Sequence, residues 1–175
     1  MTSYCEYTRN LPKGNVHRDH HDTEHGFYVK DDDDLFRRFV LEIMQAGLSF
    51  ETVLKKKKAI YLNFNKIKKV AEYKEKEIEI LMQNKNIIRH RLKIESIIYN
   101  AKKIIQLQKE YGSFKKFLDL HKGLELDEWV KLFKKEFKFV GPEIVNELLM
   151  SARYLKGAHD KNCEIEKKII NFYNV

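Results

Sequence analysis

The sequence predicts an all-α protein. Apolar residues recur three and four apart through most of its 175 residues, nothing alternates with period two for long, and only 2 prolines and 7 glycines interrupt the pattern. Residues 1–30 are the exception: Pro12 and Gly14 break any period, and this stretch is expected to be irregular. Asp31–Asp34 then open a helix, where aspartates cap free amides and suit the positive end of the dipole. Its apolar ridge is Leu35, Phe39, Ile43 and Ala46, widened by Phe36 and Val40, and Gly47 ends it. Ser49 caps a second helix, from Phe50 to about Leu62, carrying Lys55–Lys58 as a solvated face. Short helices near 65–73 and 74–82 follow, the latter with Ile78, Ile80 and Leu81, and 84–86 form a loop.

A long helix runs through Ile94, Ile97, Ile98, Ala101, Ile104, Ile105 and Leu107 and stops at Gly112. Ser113 caps a short helix with Phe114, Phe117 and Leu118, closed by Gly123. The stretch 126–136 carries Trp129, Val130 and Phe133 as core positions. Phe137-Lys138-Phe139-Val140-Gly141-Pro142 then places a proline at the first position of a helix behind a glycine turn, which describes two helices joined by a hairpin. The last of these helices is expected to reach about Lys156. No repeat or linker divides the chain, so a single domain over 1–175 is expected, long enough for one core or for two lobes sharing a cleft without a firm boundary.

Hydrophobic residues at 43% beside charged residues at 34% suit a globular chain rather than a disordered one. There is no run of about 18 apolar residues and no apolar leader, so the expectation is a cytoplasmic protein without a membrane partner. A net charge of +8, spread over helices, points to a polyanion such as nucleic acid, although a lysine-rich composition alone gives the same sum.

Three constellations carry chemistry. Glu42 borders the buried face of its helix just before the Gly47-Leu48-Ser49 turn, where it either meets a ligand in a cleft or pairs with Arg38 four residues earlier. The hairpin before Pro142 presents helix amides that suit a phosphate, and is equally a plain connection between helices. The 2 cysteines, Cys5 and Cys163, are either free buried thiols or part of a metal site. His159 and Cys163 have an H-x3-C spacing that, on one helical turn, turns both side chains to one face, and Cys5 with His21 would complete a closed, structural Cys2His2 set.

Taken together, these pieces resemble the DNA-3-methyladenine glycosylase I family of the helix-hairpin-helix glycosylases. The resemblance is carried by His21-Asp22 with Glu24 and Gly26, by Leu35-Phe36, and by Glu42 with Gln45–Ser49 and Thr52–Lys56. It continues in Ile87–Arg91, Lys93-Ile94, Asn100-Ala101, Phe137–Pro142, and His159 with Cys163. It implies a bilobed helical fold and one structural zinc held by Cys5, His21, His159 and Cys163, joining the amino- and carboxy-terminal segments. It implies a monomer that hydrolyses the N-glycosidic bond of 3-methyladenine in alkylated double-stranded DNA by base flipping, as a bacterial-type enzyme acting at the nucleoid.

On the same resemblance, Glu42 becomes the catalytic, base-reading carboxylate and His20, His25 and Phe50 the base-binding residues, standing where the family shows a tyrosine and two tryptophans. Gly47 and Leu48 become the wedge, and Lys138, Phe139, Val140 and Gly141 the DNA-gripping hairpin. Pro142-Glu143 follow Gly141 where lyase-competent relatives carry a lysine, so no strand cleavage is expected, and Asp160, beside His159, is not expected to be catalytic. The three aromatic replacements leave a second expectation, a non-catalytic binder of damaged DNA on the same scaffold. A zinc-stabilised protein whose basic face binds RNA is a third.

Overall fold

The computed structural model describes residues 2–173. Among them lie eleven α-helices and no strand: α1 (Tyr4–Arg9), α2 (Val16–Thr23), α3 (Asp32–Gln45), α4 (Phe50–Asn63), α5 (Ile67–Ala71), α6 (Glu75–Gln83), α7 (Arg91–Tyr111), α8 (Phe114–Leu120), α9 (Leu126–Glu136), α10 (Pro142–Ser151) and α11 (Glu164–Tyr173). None of the helices among the described residues is long and apolar enough to cross a membrane. The chain divides into two compact units: a terminal unit made of the chain up to Tyr28 and from Leu149 on, and a central unit, Val29–Leu148.

In the terminal unit the stretch up to Tyr28 corrects the irregular reading of residues 1–30, because it contains α1 and α2. Ser3 caps α1 by accepting from the Glu6 amide, and Asn15 caps α2 by accepting from His17 N–H. The helical period of α2 is present but written in histidines: His17, His20 and His21 are its buried positions, at i, i+3 and i+4. An apolar count passes over such a face.

The end of α10 also differs from expectation. The helix stops at Ser151 rather than near Lys156, because Arg153 adopts a left-handed φ of 63°. Tyr154 N–H then returns to Leu149 O at 2.7 Å and Arg153 N–H to Met150 O at 3.0 Å, a Schellman closure with arginine in the place usually held by glycine. The Arg153 guanidinium makes a fork to both Glu166 oxygens (2.8 and 2.7 Å) and bonds Gly26 O at 2.9 Å, tying α11 to the loop after α2.

The central unit is built on apolar burial. Helix α7 packs on α3, α5, α6 and α8, and α3 packs in turn on α4, α5 and α8. Leu35, Phe39 and Ile43 of the expected ridge are at most 1% exposed. Phe39, Phe114, Trp129, Phe133 and Phe137 form an aromatic nucleus with ring centroids 5.3 to 6.2 Å apart.

The run Asp31–Asp34 does more than cap one helix. Asp31 caps α3, accepting from Asp34 N–H at 2.8 Å. Asp32 accepts from Phe114 N–H, Lys115 N–H and Gln108 Nε2 at 2.7, 2.9 and 2.8 Å, fixing the start of α8. Asp33 accepts from Ile67 N–H at 2.9 Å at the start of α5 and meets Lys66 at 3.0 Å. Asp34 accepts from Lys30 N–H and from Arg38 Nη2, at 3.1 and 3.2 Å. Ser49, Ser113 and Gly112 act as read from the sequence, whereas α8 ends at Leu120 with His121 as its C-cap, ahead of Gly123.

Candidate active site and metal centre

In the terminal unit Cys5, His21, His159 and Cys163 come together, one ligand atom from each lying within 4.8 Å of all the others. His21 Nε2 and His159 Nδ1 are 3.2 Å apart; the sulfur-to-nitrogen separations are 3.3 and 3.7 Å from Cys5 and 3.7 and 3.8 Å from Cys163. Zinc bonds of about 2.0 Å to nitrogen and about 2.3 Å to sulfur, set tetrahedrally, give edges of about 3.4 Å between nitrogens and about 3.6 Å between nitrogen and sulfur. The donor set fits a cation of that size.

The outward nitrogens fit it as well. His21 Nδ1 lies 2.7 Å from Asp22 Oδ1 and His159 Nε2 lies 2.7 Å from His25 O, so each outer nitrogen carries the proton and each inner one faces the cluster with a lone pair. Two lone pairs at 3.2 Å repel unless a cation or a thiol proton lies between them. Asp160 N–H donates to Cys5 Sγ at 3.3 Å, a bond that favours a thiolate. Burial outweighs it in the bare cluster, pushing the Cys5 thiol up to about 11 with Cys163 adding to the rise. Burial and the neighbouring His21 hold His159 below its ordinary value.

Gly26 borders this cluster with φ +73°, and a Cβ there would meet His159 at 2.7 Å, so the position needs glycine for both space and backbone. One detail differs from the H-x3-C reading. Residues 159–163 form a turn ahead of α11, closed by Cys163 N–H to Asp160 O at 2.9 Å, and are not helical.

The central unit holds a cavity of about 480 Å³ lined by Glu42, Gly47, Leu48, Gly141, Pro142 and Glu147, among others. Glu42 is brought there by the last full turn of α3 and is only 5% exposed. The candidate ion-pair partner, Arg38, bonds one turn back to Asp34 at 3.2 Å. Gln45–Leu48 is a type II turn, with Ala46 at φ −45°, ψ 120°, Gly47 at φ 76°, and Leu48 N–H returning to Gln45 O at 2.8 Å. It leaves the Leu48 side chain 42% exposed at the rim.

The opposite rim follows the 137–142 hairpin, where the left-handed residue is Phe139 (φ 57°) rather than the glycine the pattern suggested. Gly141 lines the cavity with Pro142; Lys138, Phe139 and Val140 precede them in the same hairpin.

The structure thus joins Glu42, Gly47, Leu48 and Gly141 around one hollow. Phe50, the first residue of α4, is half-buried and is not among the residues lining it. His20 and His25 belong to the terminal unit, 3% and 7% exposed, with ring centroids 5.8 Å apart and His20 Nδ1 3.3 Å from Glu24. Trp129 is fully buried, as its helical spacing indicates.

Three side chains of the site region were given no role from sequence, although Lys93 is among the residues that carry the resemblance. Tyr4 sets its ring edge-on to His17, His21 and His25. Lys93 buries its ammonium against backbone carbonyls. Glu147 faces the Glu42 cavity, where burial, with Glu143 adding to it, raises its carboxyl pKa. Only the i, i+4 spacing of Glu143 and Glu147 hinted at the last.

Comparison with known proteins places this geometry. The methyladenine glycosylase family model matches residues 11–126. A DNA-3-methyladenine glycosylase of Haemophilus influenzae is 37% identical over 120 residues, covering 67% of this chain and 63% of that protein. DNA-3-methyladenine glycosylase 1 of Escherichia coli is 41% identical over 102 residues, covering 57% of this chain and 54% of its own. The aligned stretches therefore span less than two thirds of both curated relatives.

Among solved structures, a tyrosine-to-phenylalanine variant of 3-methyladenine DNA glycosylase I bound to 3-methyladenine superposes with a TM-score of 0.79 at 32% identity, over 88% of this chain and 94% of that one. The Staphylococcus aureus 3-methyladenine DNA glycosylase I gives a TM-score of 0.79 at 31% identity, over 88% and 93% of the two chains. With a matching family model over most of the sequence, an all-helical fold shared almost end to end, and a buried glutamate beside the Gly-Leu-Ser turn, the chain belongs to the methyladenine glycosylase family.

Proposed function

We propose that this protein is a monofunctional DNA glycosylase that removes 3-methyladenine from alkylated duplex DNA in the cytoplasm, acting as a monomer. One observation carries the reading: Glu42, 5% exposed, lines a cavity rimmed by the Gly47-Leu48 turn and by Gly141-Pro142. A base stacked in a duplex is out of reach of such a group, so the nucleotide must be flipped out. That costs about a few kcal/mol, least for a damaged base. Leu48 fills the gap left in the stack, and the 138–141 hairpin with the first amides of α10 holds the backbone without reading sequence.

Alkylation at N3 leaves the purine cationic. Glu42 supplies the opposite charge and accepts hydrogen bonds from the exocyclic amine, which distinguishes the lesion from neutral adenine. When the C1′–N9 bond breaks, its electron pair enters the ring and cancels that charge. Water then forms the new C1′–O bond and gives up its proton to solvent. The leaving group is already activated, so the protein's part is to extrude, hold and orient. Phe50, at the start of α4, is the proposed stacking partner of the base, and the basic surface adds backbone attraction that weakens with salt.

Cys5, His21, His159 and Cys163 would hold one zinc ion. With all four positions taken by protein it would serve structure, joining α1, α2 and the turn before α11, and no step of the reaction passes through it.

The test is release of free 3-methyladenine from methylated duplex DNA by the purified protein. Release above the spontaneous rate, falling about tenfold or more in Glu42→Gln, is expected. A variant as fast as the parent removes Glu42 from this role. A parent that binds abasic-site duplex yet releases base only at the spontaneous rate is the non-catalytic binder that the replacement of three family aromatics by His20, His25 and Phe50 also suits.

A further inference from the structure

A buried charge in the central unit has no part in the scheme above. Lys93, on the first turn of α7, is only 3% exposed. Its Nζ donates to Met44 O at 2.8 Å and to Ala46 O at 2.7 Å. Met44 lies in the last turn of α3, where carbonyls lack intrahelical partners and the helix dipole is negative.

Ala46 O belongs to the central peptide of the Gln45–Leu48 turn. That peptide is the unit whose flip separates a type II turn from a type I turn. By fastening its carbonyl, Lys93 selects the turn that sends Gly47 and Leu48 to the cavity rim. Burial lowers the Lys93 pKa, and the two carbonyls replace part of the water that burial removes from the ammonium.

Seven residues further along the same helix, Asn100 is fully buried and holds both backbone polar groups of Lys138. Its Nδ2 donates to Lys138 O at 3.0 Å and its Oδ1 accepts from Lys138 N–H at 2.8 Å. The next residue, Phe139, sits in the left-handed region at φ 57°, a conformation a phenylalanine keeps only when its surroundings impose it. Its ring centroid lies 5.8 Å from Lys93 Nζ and 6.3 Å from the His90 ring. One face of α7 therefore grips both rims of the Glu42 cavity.

We infer that Lys93 and Asn100 are positioning residues for DNA engagement, which set the Gly47-Leu48 turn and the Lys138–Gly141 hairpin in one frame and act on the duplex through Leu48. The inference rests on the glycosylase reading. It distinguishes grip on the duplex from grip on the base: the frame holds the wedge and the hairpin, while Glu42 stands on α3 ahead of the turn.

The experiment is a double-mutant cycle on abasic-site duplex binding with Lys93→Met, Leu48→Ala and the pair, beside binding of free 3-methyladenine. Loss of a charged hydrogen bond predicts a fall of about tenfold in duplex affinity for Lys93→Met. Free-base affinity should stay within about twofold of the parent, and the pair should be no weaker than the worse single variant. Lys93→Arg, which retains a donor pair, should recover most of the loss. Additive effects, or free-base affinity falling in step with duplex affinity, would overturn the inference.

Should Lys93→Met not unfold cooperatively, Asn100→Asp carries the test, since it keeps the acceptor for Lys138 N–H and loses the donor to Lys138 O. Reduced duplex affinity at unchanged free-base affinity supports the frame, and unchanged duplex affinity overturns it. A parent protein that neither binds abasic duplex nor releases base would instead sink the glycosylase reading itself.

Discussion

The two units of this chain reach order by different physics. In the central unit Phe39, Phe64, Phe114, Trp129 and Phe133 are fully buried, and α7 alone places Ile94, Ile97, Ala101 and Ile104 at 0% exposure. In the terminal unit the buried face of α2 is made of imidazoles, and its densest point is a set of two thiols and two imidazole nitrogens. Apolar burial is non-directional and tolerates some repacking, whereas a ligand set works only when every member is in place. On the proposed zinc reading, the central unit spreads its stability over many side chains, whereas the smaller terminal unit would depend heavily on four.

The largest expected effect breaks that contrast outright. Zinc analysis of protein purified without added metal should give about one ion per chain, and a strong chelator or Cys163→Ser should unfold the terminal unit, because free energy of metal binding is then free energy of folding. Hydrogen exchange read by peptide would show α1, α2 and α11 losing protection while α7 and α9 keep theirs. Uniform protection after chelation would mean the cluster is a set of ordinary buried thiols.

The converse is Phe133→Ala, which opens a void in the aromatic nucleus and should cost about 3–5 kcal/mol in denaturant unfolding while metal content is unchanged. Next in size is Asp32→Ala, which strips acceptors from Phe114 N–H, Lys115 N–H and Gln108 Nε2 and should cost about 1–3 kcal/mol. A cost below about 0.5 kcal/mol would mean that water replaces the carboxylate there.

The smallest effect is a pH dependence at Glu147. Its folded carboxyl binds a proton more tightly than the unfolded one, so its contribution is full below the ordinary value of 4.5 and is lost as pH rises toward the raised folded value. Unfolding free energy measured against pH should lose that slope in Glu147→Gln, and an unchanged slope would assign it to another group.

What could be read in advance follows the same division. The sequence reading of α9 as 126–136 and of α7 ending at Gly112 matches the structure, because Trp129, Val130 and Phe133, or Ile94 through Leu107, repeat at helical spacing, and α7 ends on the left-handed Gly112. The α2 helix was illegible because its buried residues are histidines, which polarity scales treat as surface. The end of α10 was hidden by Arg153 doing what glycine ordinarily does. For the site, spacing alone left Glu42 between a ligand and Arg38, and H-x3-C between free thiols and a metal, so the resemblance rather than the pattern assigned them, and a turn rather than a helix brings His159 and Cys163 together. Lys93 counts toward the resemblance, but its burial could not be read, since a lysine buried for the sake of two carbonyls has the spelling of a lysine in water.

The four consecutive aspartates at 31–34 each answer to a different part of the central unit: the amide ends of α3, α8 and α5, and the Arg38 guanidinium. Inserting or deleting a single residue there would rotate every carboxylate to its neighbour's post, leaving three helix starts mismatched at once. A run that looks like a tolerant, interchangeable stretch of charge is thus among the places where the chain can least absorb a change of length, although it would accept a change of residue at any one of the four more readily.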